Sequence, residues 1–211
     1  LGSRGLGDVY KRQLDGRPLL WKNRDTDFMR NHVDYVKGER YDFIAVVNSA
    51  NAYLKEAWMG TNSAGFALMN TQSYNLVDVK GDEERGAANG RVIYRALEVC
   101  ATVEDFCHFL DTISKPSDIE ANFGVIDAQG GAAMFEVDYY KYVMYDANNP
   151  KDAPYGYIAR TNFSFAGKVN EGAGYVRYME ADQVLMKASA TGNITPQFIF
   201  NDLSRSFRNR M

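Results

Sequence analysis

The sequence predicts an α+β domain in which two β-sheets carry helices gathered in separate blocks. Short β-branched and aromatic segments come first, two helical segments follow, and a second block of strands precedes the last helices. A βαβ fold would instead interleave strands and helices along the chain. No internal repeat, low-complexity tract or linker interrupts the pattern, so we expect one domain over residues 14–211.

The first block contains three apolar runs separated by turn residues, which is typical of strands. These runs are residues 17–23, 42–48 and 66–71. Residues 52–59 fit a helix or a strand equally well, and the turn residues around Gly65 follow them. The block therefore predicts strands joined by tight turns.

A change in composition introduces the helices. Residues 78–90 are charged and glycine-rich, which predicts a loop. Apolar residues then recur at helical spacing from Val92 to Cys100. Thr102 with Asp105 resembles a capping box, so a second helix is expected to begin there and to end before Pro116.

The second block repeats the strand pattern. Its predicted strands are residues 122–127, 132–137, 139–145 and 157–162. The turn at residues 128–131 joins the first two as a hairpin. Residues 175–186 favour a helix, and Pro196 stands at a first-turn position of a last helix.

The first thirteen residues are interpreted as foreign to the protein. Asp8 to Gln13 is the translation of GAT-GTG-TAT-AAG-AGA-CAG, the end of a transposase adapter used to prepare sequencing libraries. Such a segment is excluded from fold reasoning, so the natural sequence is expected to start near Leu14 or Asp15. The alternative is a genuine tail that matches by chance. The sequence after Leu203 is similar to a helix without a stop signal, so we expect the C-terminal end to be cut as well.

Composition excludes several classes of function. The formal net charge is −3, and about −5 without the first thirteen residues, which argues against binding to nucleic acid. No run of about 18 apolar residues is present, so we expect no membrane span. Two cysteines and two histidines are too few for a disulfide framework or a metal cluster, and no dinucleotide or phosphate-loop fingerprint occurs. We expect no metal and no cofactor, and the cellular compartment and oligomeric state stay open.

Three segments together resemble the choloylglycine hydrolase and penicillin acyltransferase-like family of N-terminal nucleophile (Ntn) hydrolases. Residues 15–25 (DGRPLLWKNRD) are similar to a "G-[RK]-N-x-D" segment on the strand after the nucleophile strand. Residues 60–70 (GTNSAGFALMN) are similar to "G-x-N-x-x-G-[LF]-A-x-x-N", and Thr161-Asn162 to a strand-end "T-N". Residues 122–136 also resemble the central hairpin of the family. The resemblance covers nearly all of residues 14–211.

The resemblance implies a four-layer αββα sandwich and an N-terminal cysteine nucleophile, exposed by removal of the initiator Met or of a propeptide. The α-amino group of that cysteine would act as the base, because it titrates near pH ~8 and lies a fixed short distance from Sγ. The enzyme would cleave a linear amide C–N bond or transfer its acyl group through a thioester. Because no such cysteine stands in the given sequence, this chain is expected to be inactive.

The site residues implied by the resemblance lie on the matching motifs. Asp25 would orient the α-amine, and Lys22 stands where many relatives have an arginine whose charge lowers the pKa of the thiol. Arg24 is an alternative source of that charge, although we expect it on the opposite face of the strand from Lys22. For Asp25 the competing interpretation is a turn residue, and for Lys22 a solvated lysine.

Two asparagines and one arginine complete the expected site. Asn70 would donate its amide to the oxyanion, an interaction worth roughly 3 kcal/mol in other acyl-transfer enzymes. Asn162 would position the substrate amide or complete the oxyanion site, and Arg177 on the following helix would close the site, with Arg205 as its rival. Asn70 is alternatively a turn residue at the end of its strand.

Other functions stay open at this stage. Cys100 and Cys107 lie in apolar helical patterns, where cysteines are usually inert core residues. A related dipeptidase would act on peptides, and a non-catalytic binding homologue would lack a nucleophile at its first strand. The acyl group, and the choice between hydrolase and acyltransferase, are not specified by the sequence.

Overall fold

The computed structural model describes residues 6–10, 17–77, 86–169 and 172–206. Ten strands lie in two antiparallel sheets. In chain order they are β1 (Leu6–Tyr10), β2 (Leu19–Asn23), β3 (Asn31–Val36), β4 (Phe43–Asn48), β5 (Met59–Asn62), β6 (Ala67–Gln72), β7 (Ala121–Ile126), β8 (Ala132–Val137), β9 (Tyr142–Asp146) and β10 (Tyr157–Arg160). The larger sheet has the order β3-β4-β5-β6-β7-β8-β9, and the smaller has the order β10-β1-β2.

The helices lie outside the two sheets. They are α1 (Asn89–Val99), α2 (Val103–Thr112), α3 (Ala173–Ala190), α4 (Pro196–Phe198) and α5 (Ser204–Ser206), with a 3-10 turn at Ser49–Leu54 and a π-helical turn at Ile199–Leu203. Thr102 caps α2 in a complete capping box with Asp105, as the sequence predicts. Thr195 accepts a hydrogen bond from Phe198 N at the start of α4.

Three apolar clusters order these elements into four layers. One cluster, with Phe106 of α2 and Phe135 of β8, joins the larger sheet to α1 and α2. A second joins the two sheets through Met69, Met134 and Ile158. The third packs the smaller sheet against α3 and the C-terminal helices. The order of layers is therefore helices, sheet, sheet, helices, which confirms the predicted αββα sandwich.

Three details differ from the sequence prediction. Strand β3 was not predicted, because its side chains are mostly exposed and give no apolar face. Residues 52–59, ambiguous in sequence, divide between the 3-10 turn and the approach to β5. Within the segment expected to be foreign, residues 6–10 form the central strand of the smaller sheet. Of the loop expected at 78–90, residues 78–85 lie outside the described residues.

Candidate active site

Two residues at the C-terminal end of β6 form hydrogen bonds to the other residues of the candidate site. Asn70 is 1% exposed, and Gln72 lies two residues further along the same strand, roughly 7 Å away. The Asn70 side chain contacts β2, whereas the backbone of Gln72 contacts the segment that follows β10. Strand β6 thus connects two groups of polar side chains from the smaller sheet.

Lys22 reaches β6 from the C-terminal half of β2. Its Nζ donates to Asn70 Oδ1 at 2.9 Å and to the carbonyl of Trp58 at 3.1 Å. The pairing of β5 with β6 stops at Met59 and Met69, so Trp58 and Asn70 are the next residues on the two strands. Burial, and then the charge of Arg24, lower the pKa of Lys22 well below its usual value.

Arg24 lies beside Lys22, contrary to the expectation from the sequence. Its Nη2 donates to Asn48 Oδ1 at 2.7 Å, its Nη1 donates to Asn31 Oδ1, and its guanidinium lies 5.3 Å from the centre of the Trp58 ring. The expectation was wrong because side chains two positions apart share a face of an extended chain. Burial lowers the pKa of Arg24 to about 10. We call Lys22, Arg24, Trp58 and Asn70 the Lys22 cluster.

Asn162 and Arg177 form the second group. Asn162 is 1% exposed, and its Nδ2 donates to the carbonyl of Gln72 at 2.8 Å. Arg177, on the second turn of α3, donates from Nη2 to Asn162 Oδ1 at 2.6 Å. Arg177 therefore fixes the orientation of the Asn162 amide, while its rival Arg205 is exposed on α5.

Four of the five expected site residues are thus linked through β6. Lys22 bonds to Asn70, and Arg177 bonds to Asn162, which bonds to the backbone two residues from Asn70. Asp25 is half-buried just beyond β2, and within the described residues its side chain has no hydrogen-bond or ion-pair partner. The structure therefore brings the asparagines and the basic side chains together, and Asp25 follows Arg24 in the chain without a hydrogen bond or ion pair to a described residue.

Unpartnered donors distinguish this site from the rest of the described chain. In the described residues, the buried side-chain nitrogens and oxygens without a hydrogen bond are all nitrogens of the site: Arg24 Nε, Trp58 Nε1, Asn70 Nδ2 and Arg177 Nε. Buried polar groups are normally paired, so such a concentration needs an explanation. The basic side chains of the site, Lys22, Arg24 and Arg177, also form no ion pair with a described carboxylate. The arrangement suits a ligand that supplies acceptors or negative charge.

The sequence motifs did not identify two residues of the site, Trp58 and Asn122. Trp58 stands in the segment whose secondary structure is ambiguous, and its contacts with Lys22 and Arg24 join residues far apart in the chain. Asn122 is fully buried, and its Nδ2 donates to Thr71 Oγ1 and to the carbonyls of Thr161 and Phe163. The polar asparagine within an apolar strand run was the available signal for Asn122.

Neither cysteine resembles a nucleophile. Cys100 is 1% exposed, and burial raises the pKa of its thiol to about 12. Burial also raises the pKa of Cys107. A thiol in such surroundings stays protonated and unreactive at neutral pH. No three metal-ligating side chains cluster within the part of the chain that the structure describes, and no helix there is long and apolar enough to cross a membrane.

Residues 12–191 match the acyl-coenzyme A:6-aminopenicillanic acid acyl-transferase family. The chain belongs to this family. The match begins after β1, so the central strand of the smaller sheet lies outside it. No curated protein matches the sequence.

The fold is similar to two solved Ntn hydrolases. A mutant of the conjugated bile acid hydrolase from Clostridium perfringens gives a TM-score of 0.55 at 13% identity, over 95% of this chain and 74% of that one. The Caenorhabditis elegans ortholog of N-acylethanolamine-hydrolyzing acid amidase gives 0.59 at 14% identity, over 94% and 88%. The αββα sandwich of this family member is therefore the Ntn-hydrolase fold.

Proposed function

We propose that the parent protein cleaves a linear amide C–N bond, or transfers its acyl group, through an N-terminal cysteine absent from this chain. The observation that supports this proposal most strongly is the buried, unpaired amide nitrogen of Asn70. Lys22 holds Asn70 Oδ1 at 2.9 Å, which leaves the buried Nδ2 hydrogens without a described partner. A fixed, unpaired donor in a buried site is what a developing oxyanion requires. Membership of the acyltransferase family supports the same chemistry.

The sheet register supports the position of the nucleophile. Leu6 pairs with Asn23, and Gly7 pairs with Lys22 on one side and Arg160 on the other. The N-terminal end of β1 therefore lies level with the ends of β2 and β10, which lead to Asp25 and Asn162. A cysteine at the start of a strand in this place would lie between the two groups of site residues.

The proposed reaction proceeds in two displacements. The α-amino group takes the thiol proton, and Sγ bonds to the amide carbon while the carbonyl oxygen becomes an oxyanion held by Asn70 Nδ2. The C–N bond then breaks, and the leaving amine takes the proton from the α-amino group. Water attacks the resulting thioester in a hydrolase, and a second amine attacks it in an acyltransferase.

Four further residues have positioning roles in this proposal. Asp25 orients the α-amine, and Asn162, fixed by Arg177, positions the substrate amide. Lys22 keeps the Asn70 amide in its donating orientation and supports the thiolate electrostatically. Burial and the charge of Arg24 lower the pKa of Lys22, and a nearby thiolate would oppose both effects by favouring the charged form of the lysine.

We propose that the present chain is inactive, and that residues 1–13 are a foreign segment before the Ntn domain at 14–211. The burial of Cys100 and the raised pKa of both thiols support the first proposal. For the second proposal, residues 1–11 lie outside the family match, which begins at residue 12.

The test is to recover the natural coding sequence upstream of Asp15 without adapter-based amplification. We expect a Cys codon about 10–20 codons upstream, since one strand and a hairpin span that length. The protein made from that gene should hydrolyse amides and lose activity on changing that Cys to Ala or on Asn70→Ala. The absence of Cys, Ser or Thr there, or activity of the present chain that disappears in Cys100→Ala or Cys107→Ala, would contradict the proposal.

A further inference from the structure

Arg24 is held in place without an anion. Asn31 and Asn48 accept two of its five N–H groups through neutral amide oxygens, and the Trp58 ring lies against its guanidinium. Its Nε has no partner among the described residues and is buried. A half-buried arginine normally pairs with a carboxylate, because an isolated buried charge is costly.

The surroundings of Arg24 add to the positive charge. The charge of Arg24 acts on Lys22, whose hydrogen-bond acceptors among the described residues are the Trp58 carbonyl and Asn70 Oδ1. Asp25 follows in sequence but forms no ion pair with either cation within the described residues. Two cations thus lie together with neutral partners only, and the unpaired donors Trp58 Nε1 and Arg24 Nε belong to the same cluster.

We propose that Arg24, held against Trp58, binds a carboxylate of the substrate, so that the preferred substrates are amides that carry an acid group. Arginine suits this role because its planar fork matches a carboxylate. That the ligand is an amide substrate rests on the proposed function. The carboxylate site itself rests on the geometry of the Lys22 cluster.

The distance to the oxyanion donor fits a small substrate. Lys22 Nζ bonds at once to the Trp58 carbonyl and to Asn70 Oδ1, so these two residues are within two hydrogen-bond lengths of each other. Arg24 stacks on the ring of that same Trp58. A carboxylate a few bonds away from the reacting carbonyl can reach Arg24, and it can belong to the acyl half or to the amine half of the amide.

Calorimetric titration of the 211-residue chain with two matched pairs of ligands tests the proposal. Glutaranilic acid and its terminal carboxamide place the acid on the acyl half, and N-butyrylglycine and N-butyrylglycinamide place it on the amine half. The acid should bind about 10- to 100-fold more tightly than its carboxamide in the pair that presents the carboxylate correctly, since hydrogen bonds to charged groups have this strength. The pair that shows the difference identifies the half that carries the acid.

Variants then assign the effect to Arg24. Arg24→Met, which keeps an unbranched apolar stem without the charge, should abolish the preference for the acid, and Arg24→Lys should retain part of it. Arg30→Met removes an exposed arginine nearby and should leave the preference unchanged. Far-ultraviolet circular dichroism verifies that each variant is folded.

The results separate this proposal from the proposed function. Equal binding of acid and carboxamide in both pairs by the unaltered chain overturns the carboxylate site, whether or not any variant folds. A preference that persists in folded Arg24→Met also overturns it, because Arg24 then only ties β2 to its neighbours. A preference that depends on Arg24 supports it even where no upstream nucleophile is found, since binding is measured without turnover.

Discussion

Among the buried polar groups of the described residues, the Lys22 cluster and the cluster around Glu136 and Arg160 both contain an arginine, but its charge is balanced differently in each. In the Glu136 cluster, Arg160 Nε donates to Glu136 Oε1 at 2.5 Å, and the guanidinium lies against the rings of Tyr145 and Phe165. Both charged side chains are almost fully buried. The second Glu136 oxygen accepts the backbone N–H of Ala166 at 2.7 Å.

The Lys22 cluster has the same ingredients except the carboxylate. Its arginine also lies against an aromatic ring, but its hydrogen-bond acceptors are neutral, and three of its residues have an unpaired buried nitrogen. A satisfied network stabilises one conformation, whereas an unsatisfied one costs stability and is retained where a ligand completes it. The contrast fits a first cluster that stabilises the fold, and it agrees with the proposal that the second cluster binds a ligand.

Removing the anion from the Glu136 cluster should give the largest effect. Glu136→Ala leaves Arg160 buried without its partner and removes the acceptor of Phe165 N and Ala166 N. We expect a loss of about 3–5 kcal/mol in the free energy of unfolding, measured by urea denaturation. The exposed pair of Glu39 with Arg95 provides the control, and Glu39→Ala should change stability little. A small change in the free energy of unfolding for Glu136→Ala would contradict the proposed difference between the two clusters.

Adding an anion to the Lys22 cluster should have the opposite sign. Asn70→Asp places a carboxylate beside Lys22 and removes the unpaired Nδ2, so we expect a gain of about 1–3 kcal/mol in the free energy of unfolding. The same change in the active parent should abolish amide cleavage, because the oxyanion donor is lost.

Asn122→Asp is the matched control for that substitution. Asn122 Nδ2 donates to three oxygens, so a carboxylate there faces acceptors and should destabilise the protein. If Asn70→Asp destabilises the protein as Asn122→Asp does, the Lys22 cluster does not lack an anion.

The smallest expected effect is the dependence of the free energy of unfolding on pH. Because burial depresses the pKa of Lys22, the unfolded state binds more protons than the folded state between that lowered pKa and the ordinary value near 10.4. Stability should therefore rise with pH in this window, by at most about 1.4 kcal/mol per pH unit. Lys22→Met should flatten the dependence in urea denaturation series, whereas the exposed Lys37→Met should not. If the free energy of unfolding changes with pH equally in Lys22→Met and in the unaltered chain, burial does not disfavour the charged form of Lys22.

Local patterns predicted most of the fold. The apolar runs of β4, β6, β7 and β8, the Thr102 cap and the hairpin after β7 each have a signal within a few residues. Strand β3 was not predicted because it is an edge strand with mostly exposed side chains, and its sequence has no apolar run of the kind that marks the buried strands.

The site was less predictable because it is assembled by distant contacts. Lys22, Asn70 and Asn162 were found through motifs, and the structure links them through β6, although their roles stay proposals. Trp58 was missed because only the tertiary fold brings it to Arg24. The absence of an anion around Arg24 is a property of the packed site, and no local sequence pattern expresses it.

The position of β1 has a practical consequence for handling this chain. Within the described sheet, β1 separates β10 from β2 and hydrogen-bonds to both, so the outer strands have no direct contact with each other. Trimming the first residues as foreign would leave two strands without their shared partner. Without β1, the strand edges of β2 and β10 that it now pairs with would be left open, so we expect the trimmed chain to be less stable and more prone to aggregate than the full chain.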